Sequence, residues 1–531
     1  MHIVIIGGST TAIGAAAHLR RNLEKATITL VAKSPDLGEA LCGIPQFLGG
    51  HIAALDDLQT ASAKLLEKTF KLRVLLNTEV IKIDPQRQIL HYSANHRLYY
   101  DKLLLADEPL RIRPDIKGIL SDNIFTLHNA SAAQRVNDYF WGLNAKRILI
   151  LGGGMMGVQT AVALAQNGGE VTIADHAGHI LKYADEEFAK YAEKIMQNHN
   201  IKTITSTKMK EFSPLYAIFN NGKKIPYDMA IIATGSQPDM RLPITTGILS
   251  GEGGGIAVDC YMQTNIKNIY ACGNGVELKN SISGQPFRIS NAVLAAQSAK
   301  AAADNISGIT KTLPRVFNNE IIRIFDYYLG VCGASEEELQ NADIDYRKVY
   351  VNSERNENYI VPTEKLWLKL LFSPKGEILG TQIWGKSGVF TRLNIVAAYM
   401  QHKGSVQDLS EFYIAYTPQL AKTKDILAIA ATLAVKINDN RLRVIRWKEL
   451  QKQDIVLNVG AKITLKDGGF EVWHIPFGQL REHLRALPKD RIIALFCRNG
   501  YSAYLAYCLM SQSGFDNVYL LNDASEWDEI G

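Results

Sequence analysis

A short apolar run at residues 2–6, lacking the alternation of a half-exposed strand, predicts a strand buried on both faces. It leads into Gly7-Gly8-Ser9-Thr10-Thr11-Ala12, an Ala-rich helix ending at about Asn22, and a second strand over Ala26 to Val31. The order recurs later in the chain. The strand Arg147 to Leu151 enters Gly152-Gly153-Gly154-Met155-Met156-Gly157, a helix runs to about Asn167, and the strand Glu170 to Ala174 closes on Asp175. Polar turns lead into buried strands at Tyr100 to Ala106 and Tyr227 to Gly235, each closing one half. Asn268 to Gly275 adds a short strand before a long Ala-rich helix near Asn291 to Asn305. This order predicts an α/β chain that opens with two nested dinucleotide-binding (Rossmann-like) domains.

From about Val316 to Ile437 the pattern changes to strands followed by helices, as at Trp367 to Phe372 and Ile378 to Ile383. A linker at Asn438-Asp439-Asn440 precedes a small α/β segment. Its buried strands are Ile455-Val456-Leu457 and Ile492 to Phe496, and the second enters Cys497-Arg498-Asn499-Gly500-Tyr501-Ser502-Ala503 ahead of a helix. The 531 residues are too many for one core. The longest apolar run, near Ile426 to Val435, is far short of a membrane span. The N-terminal strand has no charged n-region or cleavage site, so the expectation is a cytoplasmic protein that enters no membrane.

Composition narrows the function classes. With 47% hydrophobic and 21% charged residues the chain is an ordinary soluble protein, and a net charge of +5 over this length argues against an extended nucleic-acid surface. Six cysteines lie far apart, with no Cys-x-x-Cys pair and no Cys/His cluster of zinc spacing, so no metal is expected and any redox role falls to single cysteines. The second glycine turn is a complete G-x-G-x-x-G. Its glycines allow a tight turn and close approach to phosphate, and the Asp175 carboxylate can accept from both ribose hydroxyls. That carboxylate would repel a 2′-phosphate, favouring NAD(H) over NADP(H). The first turn holds Ser9 and Ala32 where the pattern wants a glycine and an acid, and by itself is read either as a nucleotide turn or as a structural one. Cys42 lies within Gly38-Glu39-Ala40-Leu41-Cys42-Gly43-Ile44-Pro45, at the head of a predicted helix whose positive end would favour a thiolate. The other reading of that position is a small buried apolar residue.

The marks Cys42-Gly43-Ile44-Pro45 followed by Gly49-Gly50, Gly152 to Gly157, Ala233-Thr234-Gly235, and Val258-Asp259 through Tyr270-Ala271-Cys272-Gly273 resemble those of the pyridine nucleotide-disulfide oxidoreductases. Within that family the chain resembles the single-cysteine branch of coenzyme A-disulfide reductases, NADH oxidases and NADH-dependent persulfide reductases. The resemblance runs over nearly the whole chain and places Cys42 on the redox-active cysteine. It implies FAD held through Gly7, Ser9, Ala12, Lys33, Gly273 and Asn274, and a nicotinamide dinucleotide held through Gly152, Gly154, Gly157 and Asp175, with Gly235 a further cofactor contact. It implies a homodimer with an α+β dimerisation domain, in which Tyr416 of Ala415-Tyr416-Thr417-Pro418 is an active-site tyrosine and Tyr359 lies near a second. Arg21 and Lys424 would contact the phosphates of coenzyme A. The last segment resembles a rhodanese domain, in which Cys497 would carry a persulfide cradled by backbone N–H groups. The implied extents are 1–115 and 259–315 for FAD, 116–258 for NAD(P)H, 316–437 for dimerisation and 441–531 for the rhodanese-like domain.

Departures from the family pattern concentrate in the flavin half. Ala32 replaces the ribose-binding glutamate, Asp107-Glu108 replaces Thr-Gly, Asn274 replaces an aspartate, and Thr10-Thr11 replaces smaller residues. Each lost charge-assisted contact is worth about 1.5–3 kcal/mol, so two or three amount to roughly 3–6 kcal/mol, or about two to four decades in affinity. Elsewhere Gln159 stands for a glutamate, Gly38 and Leu41 replace polar residues beside Cys42, Ser502 replaces the rhodanese loop arginine, with Arg498 a substitute source of charge, and Asn458 replaces an aspartate. The expected function is an NAD(P)H-dependent flavoprotein reductase of coenzyme A disulfide, persulfide or polysulfide. An NADH oxidase, a nucleotide-binding regulatory dimer that has lost the flavin, and an active C-terminal sulfurtransferase alone remain open alternatives.

Overall fold

The computed structural model describes residues 1–92, 96–106, 109–143, 145–357, 359–360, 362–461, 470–497 and 501–522. The chain divides into two compact units, one of Met1–Lys182 with Glu193–Val316, the other of Tyr183–Ala192 with Phe317–Gly531.

The first unit holds two parallel five-stranded sheets. In the first, the strands lie in the order Ile269–Ala271, Lys102–Leu105, His2–Ile6, Thr27–Val31, Arg73–Leu75. The apolar N-terminal run is the central strand, and Ile3, Val4 and Ile5 are fully buried, as its lack of alternation predicts. The next segment is helix α1, Thr10–Asn22, capped by the Ser9 hydroxyl. The second sheet runs Ile201–Ile204, Glu170–Ala174, Arg147–Leu151, Met229–Ile232, Ile124–Thr126. In each half the glycine turn lies at the carboxyl end of the central strand, where open α/β sheets bind ligands.

Three more helices position the site. Helix α2, Ile44–Leu48, follows Cys42; helix α3, Met155–Gln166, follows the second glycine turn; helix α4, Ala292–Ile306, belongs to the returning segment. Helices α1 and α4 pack against one another through small side chains that include Ala12, Ala16, Ala295 and Ala299, all buried. Alanine at these positions lets the backbones approach closely.

The second unit opens with an antiparallel sheet ordered Asn319–Ile324, Tyr327–Gly333, Ile378–Gly385, Lys365–Phe372, Arg347–Glu354, with Val389–Gln401 and helix α5, Ile426–Asn438, packed on it. The fully buried Lys369 is ion-paired there with Asp185 at 2.5 Å, Glu187 at 2.6 Å and Glu336. Asp185 and Glu187 lie in the segment Tyr183–Ala192, which this pairing helps to hold in the second unit. A parallel sheet follows, ordered Val444–Ile445, Val518–Leu521, Ile493–Phe496, Ile455–Asn458, Glu471–His474. The expected α/β class is therefore observed: two parallel dinucleotide-type sheets, an α+β antiparallel layer and a small C-terminal α/β sheet. No helix among the described residues is long and apolar enough to cross a membrane.

Candidate active site

The second glycine turn has the backbone its sequence demands. Gly152 adopts φ +114°, and a Cβ there would lie 2.3 Å from the Ala233 carbonyl oxygen; one on Gly157 would lie 2.0 Å from that of Gly152. Gly154 is the N-cap of α3, has open space where a side chain would stand, and offers no side-chain cap to the helix N–H groups behind it. Those unsatisfied donors and the open space together suit an anion. Asp175 closes the turn: its Oδ2 accepts from Gly153 N at 2.6 Å and its Oδ1 from Ala177 N at 2.8 Å.

The first turn is built differently. Gly7 has φ +132° and donates to Val31 O at 2.9 Å. The Ser9 hydroxyl donates to Ala106 O at 3.1 Å and accepts from Ala12 N at 3.1 Å, so one helix N–H is satisfied internally instead of facing a ligand. Thr11 stands against Gly273, whose added Cβ would meet its methyl at 3.0 Å. Ala32 is fully buried and presents no group to a ribose. Even so, a cavity of about 360 Å³ runs alongside this turn, lined by Gly7, Val31, Lys33, Thr78, Cys272 and Gly275 among others. Half-buried Asn274 lies between Gly273 and Gly275. The cavity and turn fit an adenine dinucleotide such as FAD, with fewer charged partners than the family pattern supplies. Asp107 and Glu108 lie outside the described residues.

Cys42 is exposed, which removes the reading of a buried core residue. It sits in a 3-10 turn, Leu41–Gly43, and α2 behind it has five residues, so Cys42 precedes the helix and does not head it directly. The loop is tied on both sides. Gly38 N donates to Gly8 O at 2.7 Å, and Asn167 Nδ2, just past α3, donates to Leu48 O at 2.8 Å. Gly38 has φ +66°, and a Cβ there would lie 2.5 Å from Thr60 Oγ1. Glu39, three residues before the thiol, accepts from Ala130 N at 3.2 Å, and burial raises its pKa above the ordinary carboxyl value.

Arg21 borders a groove of about 210 Å³ between α1 and α4, together with Thr10, Thr11, His18 and Lys300. The sequence reading singled out Arg21 and missed His18; their spacing, three apart on one helix face, is the signal that could have found it.

In the second unit Tyr416 and Tyr359 come together with hydroxyls 3.3 Å apart, and Tyr416 donates to Glu357 at 3.4 Å. The hydrogen bond with Tyr359, lost solvation and the Glu357 charge push the Tyr416 hydroxyl up to about 12. It therefore keeps its proton at neutral pH. Lys424 donates to the Tyr501 hydroxyl at 2.9 Å and lies 4.8 Å from that ring. It directly precedes Asp425, the N-cap of α5, which is buried and hydrogen-bonded by Arg392 Nε at 3.0 Å. In the C-terminal sheet Cys497 follows the strand Ile493–Phe496, and its sulfur lies 2.8 Å from where a Cβ on Gly460 would stand. Asn458 accepts from Gly460 N at 2.9 Å and donates to Ala461 O at 2.8 Å, bracing the loop that faces this thiol. Arg498, Asn499 and Gly500 lie outside the described residues.

Residues 1–299 match the family model of the pyridine nucleotide-disulphide oxidoreductases, and residues 321–425 match that of their dimerisation domain. The chain is 25% identical over 435 residues to an NAD(P)H coenzyme A polysulfide/persulfide reductase of Pyrococcus horikoshii, covering 81% of this chain and 97% of that protein. It is similar to two solved structures over 98% of its length. One is described as reduced Bacillus anthracis CoADR-RHD, with 26% identity, a TM-score of 0.94 and 96% of that chain covered. The other is an NAD-dependent persulfide reductase from A. fulgidus, with 27% identity, a TM-score of 0.91 and 99% of that chain covered.

Proposed function

Because the chain belongs to the pyridine nucleotide-disulphide oxidoreductase family, we propose that it is an NAD(P)H-dependent flavoprotein that reduces coenzyme A disulfide, persulfide or polysulfide through Cys42. The observation that carries this reading is the exposed Cys42 on a loop anchored at once to the first glycine turn and to the helix of the second.

Gly7, Ser9, Ala12, Lys33, Gly273 and Asn274 would hold FAD, which when bound supplies two-electron transfer between nicotinamide and sulfur. Gly152, Gly154, Gly157 and Asp175 would hold the nicotinamide dinucleotide, with Gly235 at the strand end beside them. Asp175 opposes a 2′-phosphate by charge, and this supports NADH over NADPH. The Cys42 thiolate attacks one sulfur of the substrate's S–S bond, a new S–S bond to Cys42 forms as the substrate's own breaks, and the leaving thiolate takes a proton. Tyr416, protonated at neutral pH and hydrogen-bonded to Tyr359, is the donor we assign to that step. Arg21 and Lys424 would meet the substrate's phosphates, and Cys497 would hand over or accept sulfane sulfur in a rhodanese-like domain of residues 441–531. We read the assembly as a cytoplasmic homodimer; the dimerisation-domain match supports the dimer.

The test is anaerobic turnover of coenzyme A disulfide and of polysulfide by the Cys42→Ser protein. Loss of both, with NADH still bleaching bound flavin, supports the reading; unchanged turnover removes Cys42 from the mechanism. Oxygen consumption without any thiol substrate would instead favour an NADH oxidase.

A further inference from the structure

Arg21 does not stand alone at its groove. Its Nη2 lies 3.0 Å from His18 Nδ1, and His18 Nε2 lies 2.5 Å from Asp304 Oδ1. A guanidinium only donates. His18 Nδ1 must therefore accept, which leaves the ring neutral with its proton on Nε2, donated to Asp304. The same carboxylate oxygen accepts from Asn22 Nδ2 at 3.0 Å, so Asp304 is fixed from α1 by two groups. His18 and Asp304 are largely shielded, with side chains 15% and 10% exposed. The charged groups around the ring are thus Arg21 on α1, and Asp304 and Lys300 on α4.

We propose that His18, locked by Asp304, is a positioning residue that aims the Arg21 guanidinium into the α1–α4 groove for the phosphates of a coenzyme A-type substrate. This rests on the role given to Arg21 above. One edge of the guanidinium is spent on the ring, and its other N–H groups stay directed at the groove with less rotamer freedom to lose on binding. The ring acts through Arg21 and does not touch the reacting sulfur.

A double-mutant cycle on the full chain loaded with FAD tests this, using His18→Leu, Arg21→Ala and the pair, with coenzyme A disulfide and phosphate-free inorganic polysulfide as substrates. His18→Leu should raise KM for coenzyme A disulfide on the order of tenfold, more than it alters kcat and more than it alters KM for polysulfide. The double variant should be no worse than Arg21→Ala alone, and His18→Gln, which keeps an acceptor, should recover most of the affinity. Additive effects, or an unchanged KM in His18→Leu, overturn the proposal. If Arg21→Ala itself leaves KM for coenzyme A disulfide unchanged, the substrate assignment fails, and ¹⁵N NMR of the His18 ring then decides the positioning separately. The ring proton should sit on Nε2, and the Nδ1 resonance should move when Arg21→Ala removes its donor. An Nδ1 resonance unmoved by Arg21→Ala overturns the positioning role.

Discussion

Asp175 does two jobs with one carboxylate. It receives the N–H groups of Gly153 and Ala177, which fixes the turn, and in the proposed coenzyme site its charge would oppose a ribose 2′-phosphate. On the proposed preference for NADH, replacing Asp175 by Ala should weaken NADH binding and lower the ratio of kcat/KM for NADH to that for NADPH by about tenfold or more. A ratio unchanged by the substitution would assign the selectivity elsewhere. Cys42 is exposed on a loop anchored to both glycine turns. Its neighbours Gly38 and Gly43 leave room for Thr60 and Leu58, which a Cβ at either glycine would strike.

Two elements set how firmly these residues are held. The first is the loop from Gly38 to Leu48. Gly38→Ala puts an L-residue at φ +66° and a Cβ 2.5 Å from Thr60 Oγ1, so it should cost at least about 1–2 kcal/mol of stability and lower turnover through Cys42. Equal turnover in Gly38→Ala would show that the tie to Gly8 is dispensable. The second is the charged cluster in the antiparallel sheet. Burial opposes ionisation of Glu336, but the Lys369 and Lys348 ammonium groups overcome it and hold that carboxyl down at about 2. A carboxyl whose folded pKa is depressed stabilises the fold above its unfolded value, near 4.5, and that stability is lost as pH falls toward 2. Asp185 runs the other way, since burial raises its pKa despite Lys369. Lys369→Met should destabilise the protein by about 3–5 kcal/mol at pH 7, because the buried Asp185 and the partly buried Glu187 and Glu336 lose their shared cation. The gap between wild type and variant should shrink between pH 4.5 and 2, measured by urea denaturation.

At the scale of the molecule, what could be read from the chain was whatever local rules enforce. Runs of four apolar residues before glycine turns are central parallel strands because nothing else buries them on both faces, and His2–Ile6 and Arg147–Leu151 fall where the pattern places them. The five-residue α2 was less legible, since Pro45 and the 3-10 turn at Leu41–Gly43 break a helix that the pattern alone extends back to Cys42. Contacts between distant residues could not be read at all. Lys369 meets Asp185 across 184 positions, Lys424 meets Tyr501 across 77, and His18 meets Asp304 across 286. No periodicity encodes such pairs. The eroded flavin half was legible as missing groups at Ala32 and Asn274, while the cavity beside them, lined by Gly7, Val31, Lys33 and Cys272 among others, emerged only from the packing of segments distant in sequence.

The central claim is an electron path from a nicotinamide dinucleotide through a flavin to Cys42. The most direct measurement is the visible absorption spectrum of the purified protein, before and after adding FAD, and again after NADH under anaerobic conditions. Flavin bands, present at once or after FAD is supplied, should bleach on adding NADH. A protein that shows no bound flavin at saturating FAD contradicts this path.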